Sequence, residues 1–392
     1  MTWRQRRVQE MADLINGFPF DSADFSDDGD LPLVRIRDIL GTSFETFVAR
    51  EVVPESVLIR DGDVVVGMDG DFNVVLWSRG PAALNQRLCL LRANGRADTR
   101  FLAYALPAYL QVINDLTYAT TVKHLSSGQV RGIRMTAPDL PEQRAIADYL
   151  DRETARIDTL IDEQRCLIEM LRERRVATVA EALEGYDRIH LRRLVDRERP
   201  MTYGILQAGE PIEGGVPYIG PSDITGEGTS PERDALRTTA SEIASAYRRS
   251  VLAGGDVVVS IGPAYGKVAV VSDDLAGANL TQDTVRVALV PELAHTRFVV
   301  WALLSRQTAD YWDYQIMGAT FRRLNLGTLA RTPIPFAPLD EQRRIASYLD
   351  EQTAKIDALI AETERFIELA RERRSALITA AVTGQIDVRE VA

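Results

Sequence analysis

Lysine, histidine and cysteine are scarce in this 392-residue chain, which has three lysines, three histidines and two cysteines. A PD-(D/E)xK nuclease site needs an acid two residues before its lysine, to share a metal with it. The positions before Lys123, Lys267 and Lys355 hold Thr121, Tyr265 and Thr353, which excludes that site in its standard form. His124, His190 and His295 are too far apart to supply an HxH or HExxH ligand set. Cys89 and Cys166 form neither a disulfide framework nor a CxxC zinc motif, and they read as thiols of a reducing compartment. No Pro-Pro pair occurs, so the Asn-Pro-Pro-Tyr signature of adenine methylases is missing, and there is no GxSxG elbow. The nearest thing to a phosphate loop, GPAYGKV at residues 262–268, is one residue short and lacks the Ser/Thr for magnesium. A turn leading into a strand accounts for its glycines. No apolar run of about 18 residues is present and the N-terminus is polar, so the expectation is a cytoplasmic protein with neither membrane span nor signal peptide. Such a chain reads as a binding protein whose chemistry, if any, belongs to partners.

What is present is a duplication. Residues 140–185 match residues 339–384 at a constant offset of 199 without a gap, with 25 of 46 positions identical. Weaker echoes precede it: Thr99, Arg100 and Phe101 recur as Thr296, Arg297 and Phe298; GDVVV at 62–66 recurs at 255–259; and TTVKHL at 120–125 resembles ATFRRL at 319–324. The chain is therefore globule, helix, globule, helix, with boundaries at 1–138, 139–185, 186–338 and 339–392.

Both repeated segments carry a helical apolar stripe. Ile157, Ile161, Ile168, Leu171, Thr178 and Ala182 form it in the first, with Leu160 and Leu167 widening it and Gln164 and Arg175 interrupting it; Ile356, Ile360, Ile367, Ala370, Leu377 and Ala381 form it in the second. Asp139 and Glu142 suit an N-terminal cap, and Gly185 and Gly384 suit C-terminal stops. Each stripe needs a partner, and the other copy supplies it as an antiparallel coiled coil with a globule at either end. The globules read as mixed α/β (α+β): residues 64–68, 74–77, 257–261 and 267–271 as strands, 101–110 and 298–308 as helices, with Gly-containing turns between.

The formal charge of -11 argues at first against nucleic acid. By segment, however, the globules carry -2 and -1 and the helical segments -5 and -3, and five acids crowd into residues 21–30 of the first globule. Arginine supplies 43 of the 46 basic groups and forms bidentate contacts with phosphate and guanine. GC-rich coding would also inflate arginine, so position carries more weight than count. Residues 121–128 and 320–327 place Lys123 and His124, and Arg322 and Arg323, at equivalent points before a turn, a pattern that suits contact with a repeated ligand such as duplex DNA as readily as a solvated surface cluster. RERR at 172–175 and 371–374 is also duplicated, and salt bridges along paired helices explain it more simply than docking or backbone contact.

The duplicated LPEQRAIADYLDRETARIDTLI and LDEQRRIASYLDEQTAKIDALI helices, their Pro-rich lead-ins, and the elements VPYIGPSDI (216–224) and LPLVRIRDI (31–39) resemble the specificity subunit of type I restriction-modification systems across the whole chain. The resemblance implies two target-recognition domains, each reading half of a bipartite DNA sequence in the major groove, with the helices as a spacer ruler. It implies as partners double-stranded DNA, two methyltransferase subunits and, through them, restriction subunits. It implies no cofactor on this chain, with S-adenosylmethionine, ATP and magnesium on the partners. A stand-alone DNA-binding or scaffold protein of phage defence is the alternative. The expected DNA-facing residues are Lys123, His124, Arg322 and Arg323, then Tyr265 and Lys267, with Arg35, Arg37, Asn85, Gln86, Tyr203, Gln207, Tyr218, Ser222, Asp223, Asn279 and Gln282 as weaker candidates.

Overall fold

The computed structural model describes residues 3–116, 123–317 and 322–388. It divides into two compact units, one of residues 1–164 with 365–392 and one of residues 165–364. Two long helices, Leu140–Ala182 and Leu339–Val382, run through both units. They have no internal glycine or proline beyond the first turn, and the left-handed Gly185 (φ 82) and Gly384 (φ 75) follow their ends. Asp139 Oδ1 accepts from Glu142 N at 3.0 Å, the expected cap.

In the first unit an antiparallel sheet has the order Ala12–Asn16, Leu88–Ala93, Val64–Gly67, Val74–Leu76. Its valines and leucines bury one face against the helix Thr99–Leu116 through Phe101, Leu102, Ala105 and Leu106. The other face meets a second sheet in the order Phe47–Val48, Leu31–Val34, Ala82–Leu84, Leu58–Ile59, around Trp77. The second unit repeats the plan: a sheet ordered Thr202–Tyr203, Thr284–Val287, Val257–Ser260, Val268–Val270, and a smaller one of Thr238–Thr239, Val216–Ile219 and Asn279–Leu280. Strands buried on both faces read as near-continuous apolar runs, which is why VVV at 64–66 and 257–259 is duplicated.

The helix expected at 298–308 is in fact two. Thr296–Leu304 stops at Ser305, whose hydroxyl accepts from Thr308 N at 3.3 Å and caps a new helix, Arg306–Ile316. Capping the new axis in this way is what serine does in place of continuing a helix.

Within each unit the two long helices meet. In the second unit Arg175 pairs with Asp357 at 3.0 Å and Arg172 with Glu364 at 3.7 Å, numbers rising on one helix as they fall on the other, so the pair is antiparallel. In the first unit Arg374 pairs with Asp158 at 2.9 Å. These are one contact seen twice, since Asp158 maps onto Asp357 and Arg175 onto Arg374 at the 199-residue offset. The duplicated RERR segments thus supply salt bridges. Ile157, Ile161, Ile168 and Leu171 are buried as the stripe requires, whereas Leu160 and Leu167 are 38% and 37% exposed and stand outside it.

The helix starts explain the rest of the duplicated sequence. Buried Gln143 accepts from Asp98 N at 3.1 Å and donates to Pro138 O at 2.9 Å; Gln342 accepts from His295 N at 2.8 Å and donates to Ala337 O at 2.8 Å. Asp151 takes Arg100 at 2.8 Å and the Tyr104 hydroxyl at 2.7 Å; Asp350 takes Arg297 at 2.6 Å and the Trp301 indole at 2.9 Å. Replacing Gln143 with leucine orphans a buried N–H and a buried carbonyl at about 1–3 kcal/mol each. A drop in the urea unfolding midpoint of the first unit, followed by hydrogen exchange at Asp98–Leu106 amides, checks this.

Candidate nucleic-acid interface

The four leading sequence candidates fall at the same corner of the two antiparallel sheets. Leu125 N donates to Met68 O at 2.7 Å and Gly70 N to Lys123 O at 3.2 Å, which lays residues 123–125 across the end of the strand Val64–Gly67. In the second unit Leu324 N donates to Ile261 O at 3.0 Å, at the end of Val257–Ser260. The neighbouring turn is closed by Leu88 N to Asn85 O (3.0 Å) in one unit and Thr284 N to Thr281 O (3.3 Å) in the other; Asn85 and Gln86 lead into Arg87, which shares Asp69 with His124, and Gln282 O accepts from Arg323. The upstream parts of the duplicated segments, Thr120, Thr121 and Val122 and Ala319, Thr320 and Phe321, lie outside the described residues.

A carboxylate braces each corner. Asp69 accepts from His124 Nδ1 at 2.7 Å and from Arg87 through a short contact. Burial alone would raise the Asp69 carboxyl, but these hydrogen bonds outweigh it and hold the group below the usual carboxylate range. In the second unit Asp283 pairs with Arg323 at 3.0 Å, and Arg323 also donates to Gln282 O at 2.8 Å. Arg87 and Asp283 each follow the turn glutamine, Gln86 or Gln282, so the turn supplies the base in one unit and the acid in the other. Arg322 donates to the Tyr265 hydroxyl at 3.3 Å, and that hydroxyl donates to Asp313, which with burial raises the Tyr265 phenol above its ordinary value. These braced side chains keep an outer edge toward solvent: His124 is 64% exposed on its side chain and Arg322 is 69% exposed.

Lys267 is exposed and donates to Pro221 O at 3.0 Å, which brings it beside exposed Ser222 and beside Asp223; Asp223 accepts Gly220 N at 2.7 Å and closes the turn. Tyr203 and Gln207 are exposed on and after the edge strand Thr202–Tyr203. Arg35 and Arg37 lie on another turn, engaged with Asp38 at 3.4 Å and Glu45 at 2.8 Å. Two candidates are corrected. Asn279 is fully buried, with its amide bonded to Ser250, Ala244 and its own strand, and so presents nothing to a base. Tyr218 is 5% exposed beneath the Arg237 guanidinium, 5.2 Å from its ring. The sequence reading missed Arg87, Asp69, Asp283 and Asp313; the run of Asn85, Gln86 and Arg87 was the available signal. No group of metal-ligating side chains exists among the described residues, and no helix is long and apolar enough to cross a membrane.

A duplicated α/β reader on a duplicated long helix is the architecture of a DNA specificity protein, and the chain belongs to the type I restriction modification DNA specificity domain family, whose model matches residues 1–169 and 210–368. Members of this family confer DNA specificity and are not the catalytic components. The chain is 29% identical to the type I restriction enzyme EcoBI specificity subunit of Escherichia coli, over 98% of this chain and 86% of the relative. It is 21% identical to the MjaVIII specificity subunit of Methanocaldococcus jannaschii, over 91% and 85% respectively. Its fold matches a chain solved in work on assembly and conformational transition of the type I R-M system (TM-score 0.75, 18% identity, 98% of both chains). It also matches the HsdS subunit from Thermoanaerobacter tengcongensis (TM-score 0.58, 18% identity, 98% and 97%).

Lys123→Ala or Arg322→Ala is expected to weaken DNA binding several-fold at low salt and to reduce the slope of log K against log salt by about one. Asn279→Ala is expected to lower thermal stability and leave that slope unchanged. Fluorescence anisotropy across a salt series, with a melting curve for each variant, reads both.

Proposed function

We propose that this chain reads a bipartite double-stranded DNA target, one half-site per globule, and presents it to methyltransferase subunits. The observation that carries the reading is the braced corner of basic side chains, built twice at equivalent positions from Lys123 and His124 and from Arg322 and Arg323. A single ligand site would need only one, whereas two half-sites need two. On this reading residues 1–138 and 186–338 are the readers, residues 139–185 and 339–392 are the spacer, and Lys123, His124, Arg322, Arg323, Tyr265, Lys267 and Gln282 face DNA.

The docking surface also comes in two copies. Leu160, Phe366 and Leu369 in the first unit, and their counterparts Leu359, Leu167 and Met170 in the second, are exposed between 37% and 64%. Apolar side chains left outside the stripe at matching places on both repeats suit two copies of one partner. Restriction subunits join through those methyltransferase subunits, and S-adenosylmethionine, ATP and magnesium reside on the partners. The cytoplasm is where such an assembly meets DNA.

Co-expression with neighbouring reading frames tests the assembly: copurification with an adenine methyltransferase is expected, and its failure leaves a stand-alone DNA-binding protein. The spacer is tested by inserting four residues after Glu169 and after Glu368 together, about 6 Å of helix. Mapping methylated adenines should then show unchanged half-sites about two base pairs farther apart. New half-sites at the old spacing would contradict the ruler.

A further inference from the structure

The two halves of the duplication differ where residues 225–230 cross the long helices in the second unit. Arg175, on the first long helix, donates to both carboxylate oxygens of Glu227, at 3.3 Å through Nη1 and by a shorter contact through Nη2, while its Nε holds Asp357 at 3.0 Å. Arg297 donates from Nη1 to the Glu227 carbonyl at 2.9 Å and from Nε to Asp350 at 2.6 Å. Both guanidiniums lie against the buried Trp301 ring, 5.7 and 4.6 Å from its centroid. Gly228 has φ +76, and a Cβ there would come within 2.5 Å of Arg297 Nη1 and of Val300, so only glycine lets the segment sit this close.

The first half has the same arginines engaged otherwise. Arg374, the counterpart of Arg175, pairs with Asp158 at 2.9 Å. Arg100, the counterpart of Arg297, gives its Nη1 to Asp148 and Asp151, both at 2.8 Å. The residue at the Asp148 position in the second repeat is Ser347, so the arginine nitrogen that Asp148 occupies in one repeat is released in the other and reaches the Glu227 carbonyl.

Residues 225–230, a strap over the helices, also reach Lys267, one of the residues proposed to face DNA. Gly228 N donates to Val268 O at 2.9 Å, and the adjacent Lys267 donates to Pro221 O at 3.0 Å. A chain of contacts therefore runs from Arg175 on the helix through Glu227 and Gly228 to the strand Val268–Val270 and the adjacent Lys267.

We infer that Glu227, seated on Arg175 and Arg297, is a positioning residue that fixes the second reader on its helices and so sets how strictly the distance between half-sites is measured. This rests on the bipartite reading proposed above. Bidentate arginine–carboxylate contact suits the role because it fixes orientation as well as distance, and Arg175 is only 21% exposed on its side chain, which limits screening.

The test uses the full chain with its copurifying methyltransferase in cells, on plasmids carrying the mapped wild-type target with its spacer unchanged, one base pair longer or one base pair shorter. Glu227→Ala and Gly228→Ala dislodge the strap by different means, one electrostatic and one steric. Arg374→Gln is the comparator, altering the matching helix contact in the first unit, where Arg374 pairs with Asp158. Both strap variants should keep the wild-type half-sites and lose on the order of tenfold in discrimination against the altered spacers, about 1.4 kcal/mol, while Arg374→Gln keeps it. Unchanged discrimination in both strap variants overturns the inference. So does loss of methylation at every spacer with an unchanged melting temperature, which would place Glu227 in direct DNA or partner contact; so does unfolding of both, which would make the strap purely structural. A wild-type chain that tolerates any spacer, or reads one contiguous site, would instead defeat the bipartite reading itself.

Discussion

Everything a two-site reader does depends on a rigid joint between each globule and its long helix, and a buried glutamine with an arginine–aspartate pair makes that joint twice. Gln143 and Gln342 each tie three backbone segments together: the chain entering the long helix, the helix itself, and the start of the helix that lies on the sheet. Two turns further on, Asp151 and Asp350 hold Arg100 and Arg297. An orphaned amide in that position costs more than any exposed ion pair contributes, because its groups are out of water. The joint is therefore cooperative: opening it exposes Phe101 or Phe298, both fully buried, together with the polar groups.

The joint explains which parts of the duplication are sharp and which are faint. EQR and YLD are unchanged in both copies, and their glutamate, glutamine, leucine and aspartate contact the globule in each, while Thr-Arg-Phe survives because its arginine answers the aspartate and its phenylalanine fills the core. These elements were legible in the sequence, as were both long helices and the valine strands. Side-chain periodicity was less decisive. Leu160 and Leu167 lie close enough to the stripe to be counted in it, yet a helix paired with one neighbour buries a narrow seam, and these residues stand at its outer edge.

The corner was half legible. Lys123, His124, Arg322 and Arg323 announced themselves by equivalence, but their braces did not, because the acid comes from the Asp69 turn in one unit and from Asp283 in the other. Equivalent geometry reached with the acid and base exchanged leaves no sequence echo. Asn279 shows the opposite failure: an amide has the right chemistry for adenine, but its surroundings use all of it inside the fold. Residue type states what a side chain can bind, and only burial states whether anything outside can reach it.

Bracing also changes what the charge means. An acidic chain with nearly neutral readers would bind DNA poorly if its arginines were paired at random, but here the acids hold cations by one edge and leave another outward. Such an arrangement trades long-range attraction for fixed direction, and direction is what distinguishes one base edge from another, whereas loose charge grips every phosphate alike. A specificity protein gains from that trade, because weak non-specific affinity raises the ratio between correct and incorrect sites. The net charge of -11 is then compatible with DNA recognition, provided the cations that matter are few, placed and held.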